Sequence, residues 1–129
     1  MPSTSTIEDF PGSEGPHRSF GSGKIIRPDS YGHVEVSVTP RRDPADVTVE
    51  WNVIGPCIPP DQRELIITAS HRILDAVAKQ GRLRSGVRLV IEGGSYHATG
   101  RSAHTDAAEA AVIDALQRGS FLRKGQHPD

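Results

Sequence analysis

An α+β two-layer sandwich is the fold class this sequence predicts, on three observations. Residues 31–38 and 47–53 alternate apolar and polar side chains with period two. Residues 66–77 and 108–116 repeat apolar side chains at helical spacing. Between those two stretches, residues 87–91 read as a short buried strand. The resulting β-β-α-β-α order places both helices on one face of a small sheet.

Residues 1–30 are mostly Pro, Gly, Ser, Thr and charged residues, and Ile7, Phe10, Phe20, Ile25 and Ile26 are too scattered to bury much area. Ordering a residue costs roughly 1–2 kcal/mol of backbone entropy, so this stretch is expected to be a disordered tail. Lys24, Ile25 and Ile26 offer at most a short edge strand. The folded module is expected over residues 31–119, followed by a flexible C-terminal tail over residues 120–129.

Within the module, Val34, Val36 and Val38 share one face and His33, Glu35 and Ser37 the other, the pattern of a half-buried strand. Residues 39–46, with Pro40 and Pro44, are a turn-rich link. Val47, Val49, Trp51 and Val53 then alternate with Thr48, Glu50 and Asn52. Two alternating runs joined by a polar loop predict a hairpin, with Trp51 packed in its core.

Residues 55–60, Gly-Pro-Cys-Ile-Pro-Pro, interrupt regular structure. Asp61 and Glu64 fit a capping pair for the next helix, with Pro60 as an alternative first-turn residue. Ile66, Ala69, Ile73 and Val77 line that helix, flanked by Ile67 and Leu74, and Gly81 predicts its C-terminal cap. After the third strand, Gly93 and Gly94 predict a turn that holds out Ser95, Tyr96 and His97. A second helix is expected to start near Thr105 and Asp106, with Glu109 completing a capping pair. It buries Ala108, Val112, Ala115 and Leu116 and ends near Gly119.

Composition narrows the function classes. Fifteen basic residues stand against 16 acidic, a net charge of −1, so any nucleic-acid affinity must come from a local patch. The single cysteine, Cys57, cannot close an internal disulfide, which fits a reducing cytosol. Residues 1–16 lack the apolar core of a signal peptide, and no apolar run is long enough to span a membrane. A cytoplasmic protein is therefore expected.

Several motifs invite sharper readings. Gly21-Ser22-Gly23-Lys24 resembles part of a phosphate loop, but Arg18 and Ile25 stand where that loop needs glycine and a hydroxyl residue, so it reads as linker. His97, His104 and Cys57 lack the spacing of a zinc site, and Ser95 with His97 makes no triad. No metal, cofactor or catalytic residue is expected, and these side chains read as exposed loop residues. Lys79, Arg82, Arg84, Arg88 and Arg101 cluster in sequence around the third strand. They read either as a solvated face or as a phosphate-contacting edge, with Tyr96 or His97 able to stack on a base.

Residues 31–118 resemble domain IV of translation elongation factor G. The similarity runs through "YGHV" (residues 31–34), "EWNVIGPCIP" (50–59), "GRL" (81–83) with Gly86 and Val87, and "GGSYH" (93–97). It implies the fold shared with the second domain of ribosomal protein S-five and the ribonuclease P protein, including a left-handed β-α-β crossover that the usual right-handed rule would not supply. It also implies that residues 93–97 and 55–59 form the tip that meets tRNA and mRNA in the decoding site. Three departures from the family's pattern accompany it. Pro56 replaces a glycine and removes an N–H. The stretch after His97 is longer and adds Arg101 and His104. The chain carries no GTPase domain, so neither GTP binding nor GTP-driven translocation by this chain is expected.

The resemblance makes a non-enzymatic module that binds the ribosome or structured RNA the leading expectation. Gly55, Gly94, Ser95, Tyr96, His97 and Arg101 would form the contacting tip. The alternative is a protein-interaction or regulatory module that has diverged from translation, favoured by the near-neutral charge, the altered tip and residues 1–30. A tip histidine in that role should be exposed, beside the residue 55–59 loop, with Arg101 and His104 extending the same end.

Overall fold

The computed structural model describes residues 15–96 and 101–123. Strands β1 (Ser19–Arg27), β2 (Ser30–Arg41) and β3 (Val47–Trp51) lead through a 3-10 turn, Pro60–Gln62, into helix α1 (Arg63–Lys79). Strand β4 (Gly86–Ser95), the two-residue β5 (Arg101–Ser102) and helix α2 (His104–Arg118) follow. The sheet order is β1-β2-β4-β3, with β5 beside β2. The β1–β2 and β2–β4 pairs are antiparallel, whereas β3 and β4 are parallel and α1 bridges them. Both helices share one core with the inward strand residues, so the molecule is the expected two-layer α+β sandwich.

The alternation on β2 survives as expected: Val34, Val36 and Val38 are fully buried against α1 and α2 residues such as Ile66, Leu74, Val112 and Leu116. Trp51, Val47 and Val49 pack partly buried against the same core. Their predicted hairpin does not form, because β4 lies between β2 and β3. Period two reports that a strand is half-buried but says nothing about which strand lies beside it.

Two residues show how β4 fits the slot. A Cβ on Gly86 would overlap the carbonyl oxygens of Asp43 and Asp46, so the link from β2 to β3 arches directly over the start of β4. Pro40 pairs with Val87, whose N–H is turned away to the Asp46 carbonyl at 2.9 Å. The Pro40 nitrogen therefore faces the opposite side, beyond the end of β1 at Ser19, and its missing N–H costs no ladder bond.

Residues 19–27 overturn the expectation of a disordered tail over residues 1–30. They form a nine-residue strand that joins β2 through a two-residue turn, Pro28 and Asp29. Hydropathy missed it because its inward positions are mainly glycine. Added Cβ atoms on Gly21 and Gly23 would overlap the α2 backbone at Ala111 and Ala107, so strand and helix touch backbone to backbone. "GSGK" is neither linker nor phosphate loop. On the outer edge of β1, the Ser22 N–H donates to the Asp114 carboxylate at 3.0 Å, whose other oxygen takes Arg118 Nε at 2.9 Å.

The other end of the module also extends past expectation. Phe121 is fully buried, and Leu122 bridges to Leu83, so the tail begins later than residue 120. The helix ends follow backbone logic more than side-chain caps. Gly81, at φ +70°, closes α1 with its N–H on the Ala78 carbonyl while Arg82 N–H reaches Val77, a Schellman motif. Neither predicted capping pair forms: α1 follows Pro60 at the first position of the 3-10 turn, and α2 begins at His104 without a side-chain cap. Glu109 instead pairs with Arg72 of α1 at 3.0 Å. Among the described residues, no helix is long and apolar enough to cross a membrane.

The tight contact of β1 with α2 predicts a sharp contrast between neighbouring residues. Gly21→Ala should destabilise the fold by about 1–3 kcal/mol, as overpacked sites do. Ser22→Ala, on the outward side, should stay within about 0.5 kcal/mol of the parent. Urea unfolding of the two variants checks this, and equal midpoints would contradict it.

Candidate functional site

Parallel pairing brings the C-terminal ends of β3 and β4 to one end of the sheet, where β2 begins and both helices have their N-termini. Most of the sequence-predicted site residues meet there. Gly55 lies in the loop after β3 at φ +77°, with open space around it, and neighbouring Ile54 is 84% exposed. Gly94 does not turn the chain out of the strand as expected. It is a strand residue opposite Val34, and its lack of a Cβ admits the His33 carbonyl oxygen and Ile58. Ile58 itself is buried, so residues 55–59 do lie beside the end of β4. Tyr96 follows β4 and is 44% exposed. Arg101 is exposed in β5, its backbone N–H bonded to the Asp29 carbonyl at 2.8 Å. His97 lies outside the described residues.

Ser95 is the hub of this end, through contacts the sequence did not disclose. Between Glu35 and Val36 the β2–β4 register shifts, leaving Glu92 as an extra residue in β4. That bulge moves Ser95 from the helix-covered face, where Ile91 points, to the face carrying His33. Ser95 Oγ there lies 2.7 Å from the Tyr31 hydroxyl and 2.9 Å from His33 Nδ1. His33 Nε2 in turn lies 3.2 Å from Glu35. The Ser95 carbonyl accepts a hydrogen bond from His104 Nε2 at 2.8 Å. Expected as an exposed loop residue, His104 is 1% exposed. Alternation alone puts Tyr31, His33 and Glu35 on one face; that Ser95 meets them depends on the bulge.

A hydroxyl, an imidazole and a carboxylate in a row resemble a nucleophile with its base and orienting group. The hydroxyl is shared with Tyr31, however, and a nucleophile also needs a substrate cavity and oxyanion donors. Concavities of about 610 and 580 Å³ near this face are lined by residues including Arg18, Glu92 and Arg88. The row is suited to holding the strand end. Among the described residues, no three His, Cys, Asp or Glu side chains gather as a metal ion would need.

The basic cluster disperses. Arg101 sits at the tip, while Lys79, Arg82 and Arg84 lie near the start of β4, about 30 Å away at roughly 3.3 Å per strand residue. Arg88 lies on the helix-free face, where its guanidinium grips both Glu50 oxygens at 2.8 Å. Beside it, Glu92 accepts from Ser37 at 2.6 Å and Asn52 at 3.2 Å. Adjacency in sequence did not become a phosphate-binding edge, because an extended strand separates its own ends.

No protein-family model matches the chain, and no curated protein matches it. Among solved structures, it is similar to a protein of Thermus thermophilus, 24% identical with a TM-score of 0.65. The alignment covers 80% of this chain but only 16% of the Thermus chain, so the shared fold is one part of a much longer protein there. Rice (Oryza sativa) Rrp46 aligns over 87% of this chain and 62% of its own at 14% identity, with a TM-score of 0.45.

The Arg88–Glu50 pair gives a pH signature. Hydrogen bonds from Arg88, ahead of its charge, hold the Glu50 carboxyl below its ordinary value of 4.5. The folded state therefore binds this proton more weakly than the unfolded chain does. The pair's stabilisation is present above pH 4.5 and fades as pH falls through the folded value. Glu50→Gln should lower stability slightly near neutrality, and the gap to the parent should close in acid. Urea titrations from about pH 3 to 7 measure that gap, and one independent of pH would contradict the linkage.

Proposed function

We propose that this chain is a non-catalytic, cytoplasmic module that docks on the structured RNA of the ribosome through the tip, as domain IV of elongation factor G does. One observation carries the reading. Three segments of the resemblance, "YGHV", "EWNVIGPCIP" and "GGSYH", come from distant parts of the sequence, and the fold brings the start of β2 and the ends of β3 and β4 to one end. There, Tyr96 offers an exposed ring and Arg101 an exposed guanidinium, while Gly55 leaves its backbone open to approach. Ring stacking and phosphate contact are two of the means by which proteins hold unpaired or irregular RNA. The module itself needs no nucleotide, metal or cofactor for this role.

A second reading, docking of a protein, draws on the helix-free sheet face, where Phe20 is 59% exposed at one concavity and Arg18, which lines both, stacks over its ring at 5.0 Å. It predicts a partner whose capture is insensitive to Tyr96 and Arg101.

Co-sedimentation with ribosomes across a salt series separates the two. Tyr96→Ala should weaken binding by about 1–3 kcal/mol if the ring stacks on a base. Arg101→Ala should reduce the slope of log affinity against log salt by about one, the signature of a lost phosphate contact. Both variants should unfold with the parent, since each changes an exposed residue. Failure to pellet with ribosomes at any salt concentration would overturn the proposal.

A further inference from the structure

His104 opens α2 in a dry setting, yet its ring has two nitrogens that need partners. The Ser95 carbonyl can only accept, so Nε2, 2.8 Å away, carries a hydrogen. Nδ1 lies 2.7 Å from Ser102 Oγ, and that oxygen also accepts the His104 backbone N–H at 3.2 Å. Ser102 Oγ also donates to Gln62 Oε1 at 2.7 Å. Ser102 has one hydroxyl hydrogen to give. That hydrogen lies between two acceptor positions, His104 Nδ1 and Gln62 Oε1, so Ser102 links the ring to the 3-10 turn.

The partners come from three separate elements: the end of β4, β5, and the 3-10 turn that leaves the residue 55–59 loop. We infer that His104 is a positioning residue for the tip: by bridging the Ser95 carbonyl to Ser102 and Gln62, it holds the end of β4 and the residue 55–59 loop in one relative geometry. Deepening the RNA-docking reading and resting on it, this assigns tip affinity partly to a side chain that touches no RNA. A simple space-filling role would be met better by leucine, which occupies dry positions without needing partners. The Ser95 hydroxyl, held by Tyr31 and His33, braces the same residue from the other side of the sheet.

Three substitutions in the full chain separate the arms of the bridge. His104→Leu keeps the bulk and neither arm. His104→Gln retains an amide N–H near Nε2, and His104→Asn retains a polar group near Nδ1. Hydrogen exchange read at Ser95, Tyr96, Gly55 and Cys57 reports the geometry, and co-sedimentation with ribosomes at fixed salt reports the affinity. His104→Leu should speed exchange at these amides about tenfold, the equivalent of one lost buried hydrogen bond, and weaken ribosome binding by a similar factor. His104→Gln should restore protection at Ser95 and Tyr96 where His104→Asn does not. A folded leucine variant with parental exchange at the tip would overturn the inference. Should that variant not fold, Ser102→Ala tests the other arm, and unchanged exchange at Gly55 and Cys57 would overturn it equally. Faster tip exchange together with unaltered ribosome binding, in both His104→Leu and Tyr96→Ala, leaves the bridge standing and overturns the RNA reading instead.

Discussion

Helix α2 and strand β1 approach so closely that glycine is required on the strand side of their contact. Gly21 and Gly23 face the backbone at Ala111 and Ala107, and Gly32 of β2 faces Ala103, where a Cβ would overlap its carbonyl oxygen. Small residues on both elements leave the helix no room to slide or rotate without collision, because interiors pack at crystal-like density. The position of α2 along the sheet then fixes the position of its first residue. His104 lands under the end of β4, with Ser95 in reach of its ring. A packing constraint at one edge of the sheet therefore sets the polar geometry at the tip.

Side-chain periodicity made the central parts of the fold legible. Val34, Val36 and Val38, the apolar line of α1 and the glycine after it all behave as their spacing requires. What escaped was non-local or lacked side chains. Glycines at inward strand positions carry no hydropathy signal, so β1 read as tail. The insertion of β4 between β2 and β3 depends on the loop arching over Gly86, which no local pattern records. At the tip, the exposed Tyr96 and Arg101 and the nearness of residues 55–59 to Gly94 were legible from the motifs. The hub on Ser95 was not, since a one-residue bulge decides which face that serine occupies. His104 was misread for a related reason: a histidine among small polar residues looks exposed until the helix it begins is placed.

The charge pattern follows the same division. Arg27 with Asp106, Arg72 with Glu109, Arg88 with Glu50 and Arg118 with Asp114 pair on the surface. Exposed pairs of this kind add little stability, typically under about 1 kcal/mol each. Their larger effect is that the two charges of each pair cancel one another's field beyond the pair. Arg101, exposed at the tip, enters no ion pair among the described residues.

The bond from Ser22 N–H to the Asp114 carboxylate has a consequence for crowded solutions. An unprotected sheet margin is a template on which another copy of the chain can lay a strand. Here an approaching strand would have to displace a carboxylate already held by Arg118, and would bring its own carbonyl oxygen against a negative charge. Growth of the sheet by accretion is therefore discouraged at this margin. The five residues of β3 give the opposite margin a short template, so ribbon-like polymerisation is opposed on one side by charge and on the other by brevity.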